Sequence, residues 1–394
     1  MNASFEKRDI ENLRKNEDWR FAHLGRICTD ALREQGDASP AIIEKCIEES
    51  RRRAIGASGI IVFVDDVPVY TEIDDTLKNS AVFCETSELS FSENVKFGMD
   101  AFIARHAENA SRGGFFLSVN ANTRIDEPFV VFRWQVSEAL AQFPFARVKI
   151  GENSFAKLCE FYCSIPGAEK TQTIARNEIL VEAGAEFSRD VVQSLEASAQ
   201  IFRMENVITK ENATTRGVDF CLGAGLSRTT TELRADGRGA NLNWRALNVA
   251  AGEQEIDWRT IQHHSEPGAR SHLLCKNALL DCSRTIFSGS ILVDKIAQQT
   301  NAVQSCRNLV LSETAEAHAL PGLEIDANDV QCSHGSTTGT LDAEQLFYLL
   351  QRGLPEAEAR MLLTLGFMDE VINACAGCAV ADFVREKIAE KFGA

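Results

Sequence analysis

The chain is short of positive charge. Its 394 residues hold 41 Lys and Arg against 57 Asp and Glu, a formal net charge of −16. Nucleic acid and acidic membrane surfaces repel such a surface, so neither is an expected partner. Long apolar runs are missing as well, and no stretch approaches the roughly 20 residues that a membrane span needs. The opening MNASFEKRDIENLRKNEDW has no apolar run of the secretory kind, which points to a cytoplasmic protein. There is no GxxxxGKS/T element, and GAGLSR lacks the strand–helix context of a phosphate loop, so no nucleotide role is expected within this chain. Asn-Gly and Asp-Gly hairpin signals are scarce too, with Asp236–Gly237 the one clear case.

Cysteine, by contrast, is plentiful, with 12 residues in a chain whose expected compartment disfavours disulfides. Cys28, Cys46, Cys84, Cys221, Cys275, Cys282 and Cys306 have no ligand partner nearby in sequence and read as small buried hydrophobes. Two local pairs remain, Cys159 with Cys163 and Cys375 with Cys378. The second is a formal CxxC, yet it offers only two ligands and lies in the Ala-rich helical pattern NACAGCAVADFVREKIAEKF, so it reads as structural.

Three textures follow one another. Residues 1–112 form a helical region with a short β element. Phe5 to Arg14 has helical spacing, and SPAIIEKCIEESRRR offers Ser39 as N-cap with Pro40 at N1. SGIIVFVDDVPVYTEI reads as two β runs about a turn at Asp65–Asp66, and FSENVKFGMDAFIARHAE as a helix capped by Ser92. From 113 to 340, runs of four to eight β-formers succeed one another, among them FVVFRWQV, CEFYCSI, QIFRMENVIT and RTIFSGSILV. Corners in which Gly precedes small residues recur at uneven spacing: GENSFAK, GAEFSRD, GAGLSRT, GRGANLN and PGARSHL.

Stacked rungs joined at corners need no tight hairpins, and each rung buries its inner face on its neighbours. The middle region is therefore expected to be a parallel β-helix. Residues 341–394 turn helical again. Asp342 with Gln345 approaches a capping box, Gly353 suits a C′ position and Pro355 the start of a new helix. Leu346, Phe347, Leu362 and Phe367 are among many apolar residues there, which either pack back on the β region or meet a partner.

The stretch QCSHGSTTGT at 331–340 carries the most chemistry. On a strand, Cys332 and His334 share one face about 6.6 Å apart. Three readings are open: a metal site, a catalytic pair, or a core histidine beside a core cysteine. Two donors alone rarely make a metal site. The other histidine cluster, His263–His264 with His272, is expected in a turn at the surface.

FSGSILV, ALPGLEI, DVQCSHGSTTG, LDAEQLFYLLQRG and EAEARMLLTLGF together resemble the SufB/SufD family of iron–sulfur cluster assembly proteins, on its SufD side. Weaker similarity runs from Gly223 to Ser271, and NEDWRFAHL is similar to an early Trp-containing segment of that family. The resemblance implies a mainly β protein, a right-handed parallel β-helix flanked by N-terminal and C-terminal helical regions. It implies a non-catalytic subunit of a SufB–SufC–SufD scaffold in the cytosol, with a SufB-like partner and a SufC-like ABC-type ATPase. It places the SufC contact on the C-terminal helices, for which Leu346, Phe347, Leu362 and Phe367 are the candidates. At the SufB–SufD contact, near the end of the β-helix, it assigns His334 to cluster assembly as a metal ligand shared with the partner chain. Cys332 has only its proximity. The isolated chain is then expected to hold no stable cofactor, the cluster being transient at that contact, and a homodimer is an option when SufB is missing.

Some residues depart from the family pattern. Where SufB has a cysteine directly after the Gln of TNAVQSCRNLVL, this chain has Ser305, with Cys306 one residue late, and on a strand that offset changes the face. His334-Gly335-Ser336 stands where SufB has His-Glu-Ala, which favours the SufD side. Asn301 and Asn328 replace acidic residues expected there. Two rival readings are a polysaccharide lyase or hydrolase, and a SufB-like scaffold that holds a cluster alone. The first wants clustered acidic or basic residues on one strand ladder and usually a signal peptide; here the Asp residues are scattered.

Overall fold

The computed structural model describes residues 7–88, 98–110 and 112–392. Its strands in chain order are β1 (Gly59–Val64), β2 (Val67–Ile73), β3 (Ala81–Thr86), β4 (Gly114–Val119), β5 (Phe129–Gln135), β6 (Ala141–Gln142) and β7 (Phe145–Ile150). Then come β8 (Phe155–Ser164), β9 (Gln172–Val181), β10 (Glu186–Ser194), β11 (Gln200–Thr209), β12 (Thr214–Cys221), β13 (Leu226–Ala235) and β14 (Asn241–Ala250). The last are β15 (Glu255–His264), β16 (Arg270–Leu279), β17 (Arg284–Val293), β18 (Asn301–Val310), β19 (Glu316–Ile325) and β20 (Gln331–Gly339). The helices are α1 (Lys7–Leu13), α2 (Pro40–Arg53), α3 (Asp100–Asn109), α4 (Ala343–Gln351), α5 (Glu356–Ile372) and α6 (Cys378–Phe392).

From β7 onward, strands alternate between two walls. One wall runs β2-β1-β5-β8-β10-β12-β14-β16-β18-β20, the other β19-β17-β15-β13-β11-β9-β7-β4-β3. Pairing along both is parallel and in register: Asn241 faces Arg270, which faces Asn301, which faces Gln331. These three turns take 29, 31 and 30 residues (241 to 270, 270 to 301, 301 to 331), and the expected parallel β-solenoid is present. It begins before residue 113, however, because β1 pairs in parallel with β5 and forms part of the wall. The turn at Asp65–Asp66 does reverse the chain, and β2 runs antiparallel on β1. β3 is antiparallel on β4, so both walls end at this side in a reversed strand.

One corner of each turn is left-handed. Asn122, Asn153, Gly184, Asn212, Gly239, Gly268 and Gln299 have φ between 52° and 72°. Their N–H groups donate to the carbonyls of Glu152, Ala183, Glu211, Arg238, Pro267, Gln298 and Asp329, so the corner itself is a hydrogen-bonded stack. Asn, which tolerates this conformation better than most residues, shares the position with Gly. At 184 glycine is required doubly, since a Cβ there would lie 2.4 Å from Asn153 Oδ1.

The interior is apolar over most of its length, with Phe115, Phe129, Phe187, Trp244, Trp258 and Phe287 among its buried side chains. Midway it carries charges. Arg189, 1% exposed, donates to Glu160 (2.7 Å) and to Glu205 (2.8 Å), and Arg203 to Asp219 (2.6 Å), whose other oxygen accepts from Trp244 Nε1 (2.7 Å). Burial pushes Glu205 upward, and the Arg189 and Arg203 guanidiniums outweigh it, so its carboxyl titrates below the usual range.

The helices cover the outer faces. Pro40 opens α2 behind Ser39, and Asp342 caps α4 by accepting from the N–H groups of Glu344 and Gln345. Gly353, at φ 89°, ends the turn after α4. The expected cap at Ser92 lies outside the described residues, and α3 begins at Asp100. On one wall, Trp19 is held between the Phe102 ring (5.4 Å) and the Arg228 guanidinium (3.7 Å). On the other, Met368, Val371, Ile372, Phe383 and Val384 of α5 and α6 pack on Val192, Phe220, Leu247 and Leu274.

Removing one partner of a buried ion pair leaves the other charge stranded at a cost of about 3–5 kcal/mol. Arg189→Met should therefore lower the urea unfolding free energy by that order, since it leaves Glu160 without a cation and Glu205 with Arg203 alone (3.6 Å). A change below about 1 kcal/mol would mean that the carboxyls simply take up protons.

Candidate functional site at the open end of the solenoid

Two side chains of β20 define the site, and the ladder beneath decides where they point. On β18, Ala302, Gln304, Cys306 and Asn308 are buried and face inward, while Asn301, Val303, Ser305 and Arg307 face outward. Register sets Cys332 over Ala302, His334 over Gln304, Ser336 over Cys306 and Thr338 over Asn308. Cys332 and His334 therefore lie on the inward face of the last rung. No further strand covers them, and every residue of β20 except half-buried Cys332 is exposed.

Their surroundings differ. Cys332 sits at the edge of an apolar cluster of Ile291, Val293, Ala302 and Ala327. Burial raises its thiol above the ordinary range, a backbone hydrogen bond to Ala302 opposing only in part, so it is a poor thiolate. His334 is exposed, with no hydrogen-bond partner among the described residues. Further along the rung, beneath Thr338, the interior is polar: Asn248 donates to Asn277 (2.7 Å), Asn277 to Asn308 (2.6 Å) and Asn308 to Thr338 (3.0 Å). Cys275 and Cys306 stack beside this column, both fully buried. Cys306 is thus inward and Ser305 outward, as the one-residue offset required. Among the described residues no group of three or more His, Cys, Asp or Glu is placed to hold a metal ion.

This end carries two open strand edges. QCSHGSTTG on β20 has neither Lys, Arg, Asp, Glu nor Pro to blunt pairing. Leu320, Leu323 and Ile325 of β19 are exposed at the same end. Asn301 and Asn328 lie exposed at its rim, where Asn301 donates to Gln331 and the Asn328 N–H to Gln298.

The C-terminal candidates separate into two sets. Phe347 (62% exposed) and Leu362 (51%) are open, and Leu346 is half-buried. Leu362 lines a groove of about 550 Å³ together with Leu280, Leu311, Leu341, Met361 and Leu365. Phe367 does not join them. It packs on the solenoid with the Lys276 ammonium over its ring (4.8 Å), and its carbonyl accepts from the same ammonium (2.7 Å). The expectation that Phe367 is an exposed anchor is corrected: helical periodicity turns it toward the wall when Leu362 faces out.

The second histidine cluster is corrected as well. His263 is part-exposed near Asp294 (3.3 Å), but His264 is fully buried at the end of β15, where strand alternation turns it inward. Its Nε2 shares a hydrogen bond with Ser271 Oγ (2.8 Å). Of the cysteine pairs, Cys159 and Cys163 are buried, and Cys159 Sγ lies 4.0 Å from Asp190. Asp190 accepts from the Ala376 N–H (2.7 Å) and so fastens the CAGC segment to the wall. The Cys378 side chain lies outside the described residues. Sequence reasoning missed Gln304 beneath His334, which the solenoid period could have placed, and also Glu370 of α5, which bridges Lys276 (2.6 Å) and Arg307 (3.4 Å) and which the period does not reach.

Fold and site together define a β-solenoid whose last rung is left uncovered. The family model for the SUF system FeS cluster assembly SufBD core domain matches residues 132–367, more than half the chain, and the chain belongs to that family. It is similar to the iron–sulfur cluster assembly protein SufD of Escherichia coli, 26% identical over 92% of this chain and 84% of that protein. The SufD of Bacillus subtilis is 25% identical over 90% of this chain and 84% of its own length. A SufBD family protein of Synechocystis is 37% identical over a shorter span, 40% of this chain and 35% of that protein.

Burial lowers His264 from 6.5 to about 4, and neighbouring His263 adds to this. An imidazole depressed on folding stabilises fully above the unfolded value and loses that stability as pH falls from about 6.5 toward 4. Between pH 7.5 and 5 the loss from His264 should be about 2 kcal/mol at 1.36 kcal/mol per unit. His264→Gln should weaken the pH dependence of urea unfolding by that amount, and an unaltered dependence would show that His264 is not held neutral.

Proposed function

We propose that this chain is the SufD-type subunit of a scaffold that assembles iron–sulfur clusters, with a SufB-like solenoid on its open end. The uncovered rung bearing exposed His334 carries this reading: an inward-facing imidazole that no strand covers is half of a site. Imidazole suits iron, and a second chain would bring the thiolates that complete the ligand set. The cluster is cargo formed at the contact and is not stored in this chain. The rival in which the chain holds a cluster alone has too few donors here, since Cys332 is turned into the apolar cluster. A second copy of the chain fits the same edges when the SufB-like partner is absent.

His334→Ala and His334→Gln should fold and still capture the SufB-like and SufC-like partners, yet fail to support growth of cells that depend on this system. Cys332→Ala should be milder. Normal growth with His334→Gln would reduce QCSHG to a structural corner, and stoichiometric iron and acid-labile sulfide on the purified chain would favour the self-sufficient scaffold.

The SufC-like ATPase would dock on the exposed side of α4 and α5, where Phe347 is open on α4 and Leu362 lines the apolar groove. An apolar anchor at the centre of such a contact typically supplies at least 2 kcal/mol. Leu362→Asp and Phe347→Asp should melt like the parent and lose ATPase capture, whereas Phe367→Asp should lower the melting temperature. Retained capture by both of the first two would remove the contact from these helices.

A further inference from the structure

Gln304 lies one rung below His334, paired with it in register on the same inward face. It is 1% exposed, and its Nε2 donates to the Gly289 carbonyl on the opposite wall at 3.1 Å. A carbonyl can only accept, so this bond fixes which end of the carboxamide points where. The atom left over, Oε1, is buried and has no hydrogen-bond partner among the described residues. Such orphaned acceptors cost free energy, of order 1–3 kcal/mol, and call for an explanation. Room for this one is built in. Gly289 is the residue opposite, and a Cβ there would stand 2.5 Å from Oε1. The backbone of β17 is thus kept bare where the carboxamide crosses the interior.

Directly above it in register stands His334, whose imidazole has no hydrogen-bond partner among the described residues. We infer that Gln304 is a positioning residue for His334: its Oε1 accepts the ring N–H of His334 and leaves the other ring nitrogen with its lone pair free for iron or a proton. This rests on the reading of His334 as the reactive group. A histidine that ligates metal is normally held by such a bond from its second nitrogen to a carbonyl or carboxylate, which fixes both tautomer and ring orientation. On this chain the acceptor comes from the rung below, rigidly held, so the ring is aimed out of the open end toward whatever covers it. Without Oε1, the imidazole exchanges tautomers and turns freely, and only part of its population presents a lone pair outward.

The test is read on the isolated full chain with ¹⁵N-labelled histidine, the His334 signals being assigned by their loss in His334→Gln. The parent should show a single dominant tautomer at His334 above its titration. Gln304→Met, which keeps volume and removes the acceptor, should return the ring to the mixed population of a free imidazole. Gly289→Ala should do the same by displacing the carboxamide while leaving Gln304 in the sequence. In cells, Gln304→Met should still capture the SufB-like and SufC-like partners and lose support of growth, as His334→Gln does. A mixed tautomer population in the parent, or one that neither variant alters, overturns the inference whatever the growth result. Normal growth with His334→Gln beside an intact tautomer effect would instead remove the function of His334 and leave its positioning by Gln304 standing.

Discussion

Each rung of this protein depends on having another rung against it. In-register parallel pairing gives every strand two neighbours, and every inward side chain a floor and a ceiling. The two ends cannot satisfy that condition, and they fail it differently. At the first end, β2 and β3 reverse direction and break the register, and β2 brings Pro68 and Glu72 to an outer edge. At the last end nothing is reversed. β19 and β20 continue the ladder in register and stop. The exposure of His334 follows from this single asymmetry, because the same column three rungs down is occupied by fully buried Trp244.

The stacking rule also explains how charge comes to lie inside. A column position is shared by successive turns, so a buried Arg on one rung has a carboxylate available one rung away or across the interior. Arg189 uses both, reaching Glu160 on the adjacent strand and Glu205 on the opposite wall. Replacing such a network with apolar groups is often neutral or favourable in stability. Its contribution here is to register. A one-residue slip of β10 would turn Arg189 to the outer wall and leave two carboxylates behind it.

Much of the fold was legible because corners and β-formers repeat, but the repeat looked uneven when only glycines were followed. The left-handed corner is held by Asn122, Asn153 and Asn212 in three turns and by Gly184, Gly239 and Gly268 in three others, so a glycine count skips every turn that asparagine completes. Helix starts at Pro40 and Asp342 were legible because capping is local chemistry. His264 and Phe367 were misplaced for the opposite reason. Which face of a strand or helix points inward is decided by the neighbouring rung or wall, a contact that sequence spacing does not carry. The pairing of His334 with Gln304 spans 30 residues and becomes visible only once the turn length is known.

The open end makes a half-site of a particular geometry. A strand added to β20 lies about 4.8 Å away and puts its own inward side chains directly above Cys332, His334, Ser336 and Thr338. Ligands supplied that way come from one defined column, at the spacing of a bridging group, and they vanish when the two chains part. The covering strand would also bury Thr338, whose hydroxyl already accepts from Asn308 at the end of the buried Asn277–Asn308 ladder. Covering this end therefore strands few polar groups, chiefly the His334 imidazole and the Ser336 hydroxyl on the covered face. Close beneath, the Glu370 carboxylate on α5 joins Lys276 of β16 to Arg307 of β18, so the outer helices grip the two rungs on which the open one rests.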